Sequence, residues 1–268
     1  MNNIVLGGSK FLAQFCTPPV TAVQENEKKS LREAEKYQVT LNGEAIKCYA
    51  FGEGPAVLLC HGWGSRAAHL APMARIISRR GFRTILLDAP AHSSMEEKPA
   101  KDMSSMFEYA SAISAVCGET DDVHAIIGHS LGAMATLFSI AQFPRMDMYN
   151  INSRRLVLIS APANFELVVD SFCNHHGLDT KSKSELFNGL QNSFEMSIAD
   201  YDCKKAVDRL SIPHMIVQDE TDEYFPPEHT LLTVPERTDR ELLQTSGFGH
   251  DRILMSRDTA RAICEFLE

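Results

Sequence analysis

The sequence predicts an α/β fold: a mainly parallel sheet with helices on both faces and an antiparallel hairpin at its N-terminal edge. Three observations carry this. Short apolar, β-branched runs alternate with helical patterns along most of the chain, as parallel strands joined by crossover helices require. Two β-type runs with Asn42-Gly43 between them open the series, and Asn-Gly is a strong two-residue hairpin signal. The run Ala125-Ile126-Ile127 enters Gly128-His129-Ser130-Leu131-Gly132, and helical spacing (Met134, Leu137, Phe138, Ala141) follows at once.

The chain of 268 residues, 44% hydrophobic and 23% charged, suits one large domain with a sizeable core. A formal net charge of −9 argues against a nucleic-acid surface, which needs clustered Lys and Arg, and gives no attraction to an anionic membrane. Seven scattered cysteines without a Cys-x-x-Cys pair point away from a disulfide framework or a structural metal. Several lie in apolar runs, as Cys60 does after Val57-Leu58-Leu59, and read as buried thiols of a reducing compartment. No basic segment leads into a long apolar core at the N-terminus, and no stretch is apolar for the ~18 residues of a membrane span. A cytoplasmic protein is expected.

Residues 1–36 read as an N-terminal helical extension, and 37–268 as the main domain. Phe11, Leu12 and Phe15 sit at helical spacing before the helix-breaking Thr17-Pro18-Pro19, and Glu25 to Lys36 reads as a solvated helix. The apolar stripe Ile4 to Phe15 is expected to pack on the main domain, with a membrane or partner contact as the alternative. Strands are expected at Tyr37–Leu41, Ile46–Ala50, Ala56–Cys60, Arg83–Leu87, Val123–Ile127, Arg155–Ile159, His214–Gln218 and Glu241–Gln244. Helices are expected at Ala67–Arg80, Met103–Cys117, after Ser130, and as one closing helix Ile253–Phe266. Between the sixth and seventh strands lies an insertion of about 162–209 with a helical pattern (Phe165, Val168, Val169, Phe172; then Leu186, Leu190, Phe194). A connection that long inside a domain is usually functional.

A strand, a tight turn at Ser130 and a helix would raise the serine hydroxyl at a helix N-terminus, where N–H groups and the dipole favour negative charge. Gly128 and Gly132 leave room for the close approach such a turn needs. Here the chain resembles the α/β-hydrolase superfamily, whose nucleophile elbow reads this way, over about residues 45 to 268. The resemblance implies an order of serine, acid, histidine. Gly247-Phe248-Gly249-His250, after the last strand, is similar to the catalytic-histidine loop and nominates His250. The stretch Gln218-Asp219-Glu220-Thr221-Asp222-Glu223-Tyr224-Phe225-Pro226 is similar to the acid loop; Asp222 matches best and Asp219 is the competitor, with Glu220 and Glu223 solvated. His61-Gly62-Trp63-Gly64 resembles the superfamily's His-Gly loop, so the oxyanion hole would be the backbone N–H groups of Trp63 and Leu131. The Trp63 side chain either lines the acyl pocket or packs under the insertion, which in this superfamily is a cap.

Asp88-Ala89-Pro90-Ala91-His92-Ser93 departs from the family's Asp-x-x-Gly-x-Gly, so this loop is expected to take a path that depends less on glycine. His61 and His92 are expected to be structural, and His175 and His176 to face the surface or the substrate without a metal. The resemblance implies a serine hydrolase that cleaves a carboxylic ester, or next a thioester, of a small-molecule acyl substrate through an acyl-enzyme, with no cofactor. A serine at the elbow disfavours the dehalogenases and epoxide hydrolases of the superfamily, which carry aspartate there. The alternative is a catalytically silent ligand-binding protein on the same scaffold.

Overall fold

Period-two alternation along the strands decides the architecture. In β3 (Ala56–Cys60) all five residues are buried; Ala56, Leu58 and Cys60 enter the core on one face, and Val57 and Leu59 the core on the other. Such a strand needs helices on both sides. The structure is a computed structural model that describes residues 10–19, 21–95, 99–143, 151–195, 197–235 and 237–268. The Ile4 to Ser9 part of the expected N-terminal stripe lies outside the described residues.

The chain runs α1 (Lys10–Phe15), α2 (Glu25–Ser30), β1 (Glu35–Leu41), β2 (Glu44–Phe51), β3, α3 (Ala67–Ser78), β4 (Arg83–Leu87), α4 (Met106–Gly118), β5 (Val123–His129) and α5 (Leu131–Ile140). There follow β6 (Arg155–Ile159), α6 (Phe165–His175), α7 (Thr180–Phe194), α8 (Cys203–Asp208), β7 (His214–Asp219), β8 (Arg240–Thr245), α9 (Gly249–Arg252) and α10 (Arg257–Leu267). The eight strands form one sheet in the order β1-β2-β4-β3-β5-β6-β7-β8. The hairpin is antiparallel, β2 is also antiparallel to β4, and every later pairing is parallel. Asn42 and Gly43 both take positive φ, 51° and 83°, as an Asn-Gly hairpin turn demands.

One face of the sheet is covered by α3 and α10 (Leu70, Met73, Ile77, Ile263, Phe266). The other is covered by α4, α5 and α8 (Tyr109, Ile113, Leu137, Phe138, Val207), and this core continues into α1, α6 and α7 through Leu12, Val169 and Leu190. The described part of the N-terminal stripe therefore packs on the domain, with Leu12 and Cys16 buried. All seven cysteines are free and buried.

Three expectations are corrected. The helix expected over Glu25 to Lys36 ends at Ser30, with Glu35 and Lys36 already in β1. The closing helix is not continuous: α9 and a short 3-10 turn, Ile253–Met255, precede α10, because the Ser256 hydroxyl accepts from Thr259 N–H and caps a fresh helix start. The Asp88 loop keeps a glycine-like path without glycine, since Ala91 sits at φ 66°. That left-handed conformation costs an alanine about 1–2 kcal/mol. The neighbouring contacts hold it: the buried Asp88 carboxylate accepts from Ala67 N–H, Ser94 N–H, Ser94 Oγ and Tyr49 Oη.

Candidate active site

The C-terminal ends of β3, β5, β7 and β8 converge on one cavity of about 700 Å³, the end of a parallel sheet where ligands characteristically bind. Ser130 lies between β5 and α5 with φ 52° and ψ −118°, a strained backbone state that costs about 1–3 kcal/mol. It is held there by Ser130 N–H donating to the Ile159 carbonyl and Met134 N–H donating to the Ser130 carbonyl. The flanking glycines are steric requirements. A Cβ at Gly128 would lie 2.5 Å from Ala133 Cα, and one at Gly132 would lie 2.5 Å from the Cys60 carbonyl oxygen.

His250 is reached through Gly247 and Gly249, at φ 88° and 69°. Its Nδ1 lies 2.8 Å from Asp222 Oδ2, both side chains being buried. Asp222 also accepts from Gln218 Nε2 and from the N–H groups of Tyr224 and Phe225. Burial pushes the Asp222 carboxyl up, but the His250, Phe225 and Gln218 hydrogen bonds outweigh it and leave the group below the usual carboxylate range. The rings of Tyr224 and Phe225 meet the imidazole edge-on, with centroids at 5.0 and 5.6 Å. Ser130 and His250 share the cavity, and no hydrogen bond joins their side chains; catalytic hydrogen bonds often form only in the complex with substrate.

Asp219 does something else. It accepts from Thr221 N–H, Thr221 Oγ1, Thr245 Oγ1, Phe248 N–H and Gly249 N–H. Burial opposes its charge, yet these donors hold its carboxyl far below the ordinary range. It ties the loop after β7 to the loop after β8 and makes no hydrogen bond to the His250 ring. Glu223, expected to be merely solvated, is exposed but accepts from His250 N–H through Oε2, which corrects that reading. Glu220 is exposed and accepts from Gln244 Nε2.

The loop after β3 brings Trp63 beside Ser130. Trp63 and Leu131 line the cavity, and neither backbone N–H has a hydrogen-bond partner among the described residues. Trp63 lines the cavity and is also packed against the core, with its ring edge-on to His92 at 5.1 Å. His61 is fully buried; its Nδ1 bonds the Gly62 carbonyl and its Nε2 accepts from Ala89 N–H. Burial, first of all, drives its pKa well down. His92 Nε2 accepts from Gly64 N–H and its Nδ1 bonds the Pro90 carbonyl. Both fix loops. His175 and His176 line the far part of the cavity, and His176 Nδ1 meets Gln14 Nε2 at 3.1 Å.

Two positions escaped the sequence. His129, inside the elbow motif, is buried, and its Nε2 bonds the His250 carbonyl at 3.0 Å. Burial, aided by nearby His250, pushes it down to about 3, so it is a neutral strut for the histidine loop. Gln218 is the penultimate residue of the fully buried strand β7 and supports Asp222; a polar residue after an apolar run is its only signal. His129, His250 and Asp251 bring one ligand atom each within 4.8 Å of one another. His129 and His250 are already hydrogen-bonded to each other, and His250 to Asp222, so this cluster is part of the same hydrogen-bonded group. Among the described residues no helix is long and apolar enough to cross a membrane.

A family model described as the alpha/beta hydrolase family matches residues 57–253. A comparison with curated protein sequences gives no match. Among solved structures, an esterase of Pyrococcus furiosus is 15% identical, covering 94% of this chain and 96% of that one, with a TM-score of 0.67. A thioesterase domain from the curacin biosynthetic pathway is 16% identical over 87% and 98%, TM-score 0.61. A bromoperoxidase from Bacillus anthracis is 14% identical over 87% and 99%, TM-score 0.62. At these identities the likeness is one of fold.

Proposed function

The chain belongs to the alpha/beta hydrolase family, and from that premise we propose that it is a serine hydrolase cleaving a carboxylic ester, or a thioester, of a small-molecule acyl substrate. One observation carries the proposal. A serine on a strained turn, a histidine bonded to a buried carboxylate, and two unpartnered N–H groups meet around a single cavity. A serine hydroxyl is a weak nucleophile until a base accepts its proton.

In this reading His250 Nε2 takes the Ser130 proton as Oγ attacks the substrate carbonyl carbon. The oxyanion is held by the Leu131 and Trp63 N–H groups, each worth about 3 kcal/mol in the transition state. The carbonyl re-forms, and the leaving alkoxide or thiolate departs with the proton from His250. His250 then deprotonates a water molecule, which attacks the acyl carbon; Ser130 regains its proton and the carboxylic acid leaves. Asp222 keeps the imidazole in the tautomer with Nε2 free and stabilises its cation. Asp219 and His129 support this constellation without touching substrate. Residues 162–209 act as a cap in this scheme, since Phe165, Phe172 and Phe194 line the same cavity. The Pyrococcus esterase and the curacin thioesterase domain are, by name, enzymes of acyl substrates, in agreement with this reading.

The missing bond between Ser130 and His250 favours a second reading, a ligand-binding protein that does not catalyse. One experiment separates the two: intact mass after treatment with a small fluorophosphonate, on wild type, Ser130→Ala and His250→Ala. A single adduct on wild type, absent from both variants, is the expected result. Folded wild type without an adduct would leave the binding reading in its place.

A further inference from the structure

The N-terminal extension reaches the cavity, although the family match begins only at residue 57. Residues 14–19 line it on one side. The segment is seated at both ends. Pro19 lies against the loop after β3, where a Cβ on Gly64 would come within 2.6 Å of the proline ring. The Cys16 carbonyl accepts from Ser104 N–H, and Arg66 Nη2 donates to the Thr21 carbonyl. Between these anchors Phe15 meets Phe165 and Phe172 of α6 edge-on, with centroids at 6.1 and 5.1 Å and interplanar angles of 79° and 81°. The extension thus closes the gap between the Trp63 loop and α6, and it does so with an aromatic ring.

The chemistry of the lining is one-sided. Trp63, Phe107 and Phe194 add to the Phe15 cluster, and among the described lining residues there is no Lys or Arg; the carboxyl and imidazole side chains are those of Asp251, His129, His175, His176 and His250. A substrate carboxylate or phosphate would find no Lys or Arg among the described lining residues and would face the Asp251 carboxylate, an arrangement that discriminates by repulsion while His175 and His176 stay neutral. An apolar chain would exchange water for ring and aliphatic surface.

We propose that the N-terminal segment is a specificity-determining wall of the acyl site, through Phe15, and that the acyl group it selects is uncharged and apolar. This rests on the serine-hydrolase reading and adds the substrate class to it.

The test is kcat/KM for p-nitrophenyl acetate, butyrate, hexanoate and octanoate, and for the pentanoate against the hemisuccinate, alongside fluorophosphonate labelling. Wild type is expected to gain about three- to fourfold per added methylene up to the length that the cavity holds, the worth of a buried methylene. It should prefer pentanoate to the anionic hemisuccinate at least about tenfold. In Phe15→Ala the octanoate-to-acetate ratio should fall at least about fivefold, and Phe15→Leu should restore most of it. If Phe15→Ala does not fold, Phe172→Ala, which removes the facing ring, takes its place with the same expectation. A flat length series, a preference for the hemisuccinate, or an unchanged ratio in the Phe15 and Phe172 variants overturns this proposal while the labelling stands. Unlabelled wild type overturns the serine-hydrolase reading and this one with it.

Discussion

Around Asp219 and Asp222, nine donor groups reach two carboxylates, five on the first and four on the second. Across the cavity, α1 and α6 meet through the edges of Phe15, Phe165 and Phe172 and through an exposed hydrogen bond from Gln14 to His176. The floor is fixed by directional bonds and by backbone states that only certain residues tolerate. The roof is fixed chiefly by ring contacts, with only a few hydrogen bonds to anchor it. Chemistry needs reacting atoms held to fractions of an ångström, whereas a wall that sorts substrates needs only shape and polarity. Substitutions should therefore be punished by mechanism in the floor and by degree in the roof.

The largest expected effect is on turnover. Ser130→Ala and Asp222→Asn should each lower kcat for a nitrophenyl ester by about 10⁴-fold, with residual activity from oxyanion stabilisation and binding. A comparable loss in Asp219→Asn without one in Asp222→Asn would reverse the two acids' roles. Instead, Asp219→Asn should cost about 3 kcal/mol of stability in urea unfolding, since hydrogen bonds to a charged acceptor are worth about 1.5–3 kcal/mol each. The pH dependence has a definite sign. Both carboxyls lie below their unfolded values, so their contribution is complete above about pH 4 and is lost as pH falls toward the folded values. Stability of wild type should decline below about pH 4, and that of Asp219→Asn should decline less steeply.

Next in size is His129→Phe. Removing the bond to the His250 carbonyl should lower kcat about tenfold, near 1.4 kcal/mol of barrier. Because burial holds His129 at about 3, it stays neutral across the working range, and the pH–rate profile should keep its shape. A lost acid limb would make His129 a titrating participant. The smallest effect belongs to the roof: Gln14→Ala should change stability by less than about 0.5 kcal/mol, as exposed contacts usually do.

The same contrast explains what could be read from sequence. β3, β4 and β6 fall at the expected bounds, because fully buried strands leave unbroken apolar runs. The elbow was legible because its glycines are obligatory. The Asp222 and His250 loops were legible only through a family resemblance; nothing local to either loop says that a bond of 2.8 Å joins them. Ser256 broke the closing helix because a capping hydroxyl competes with a continuous apolar period. Ala91 misled in the opposite direction, since tertiary bonds to Asp88 hold a conformation that its side chain disfavours. Phe15 reads in the sequence only as part of an apolar stripe packing on the domain; only the folded chain brings it against rings some 150 residues further on.

The buried thiols give the molecule its own set of opening gauges. Alkylating reagents consume thiolates, and burial raises all of these groups, Cys16 and Cys117 to about 12. Cys16 adjoins α1 and Cys173 lies in α6, while Cys203, at the end of the insertion in α8, packs in the sheet core and Cys48, Cys60, Cys117 and Cys264 belong to the body of the domain. A brief iodoacetamide pulse read by mass thus records which part has breathed: two modified thiols mark a lifted roof, and seven mark a chain that has come apart.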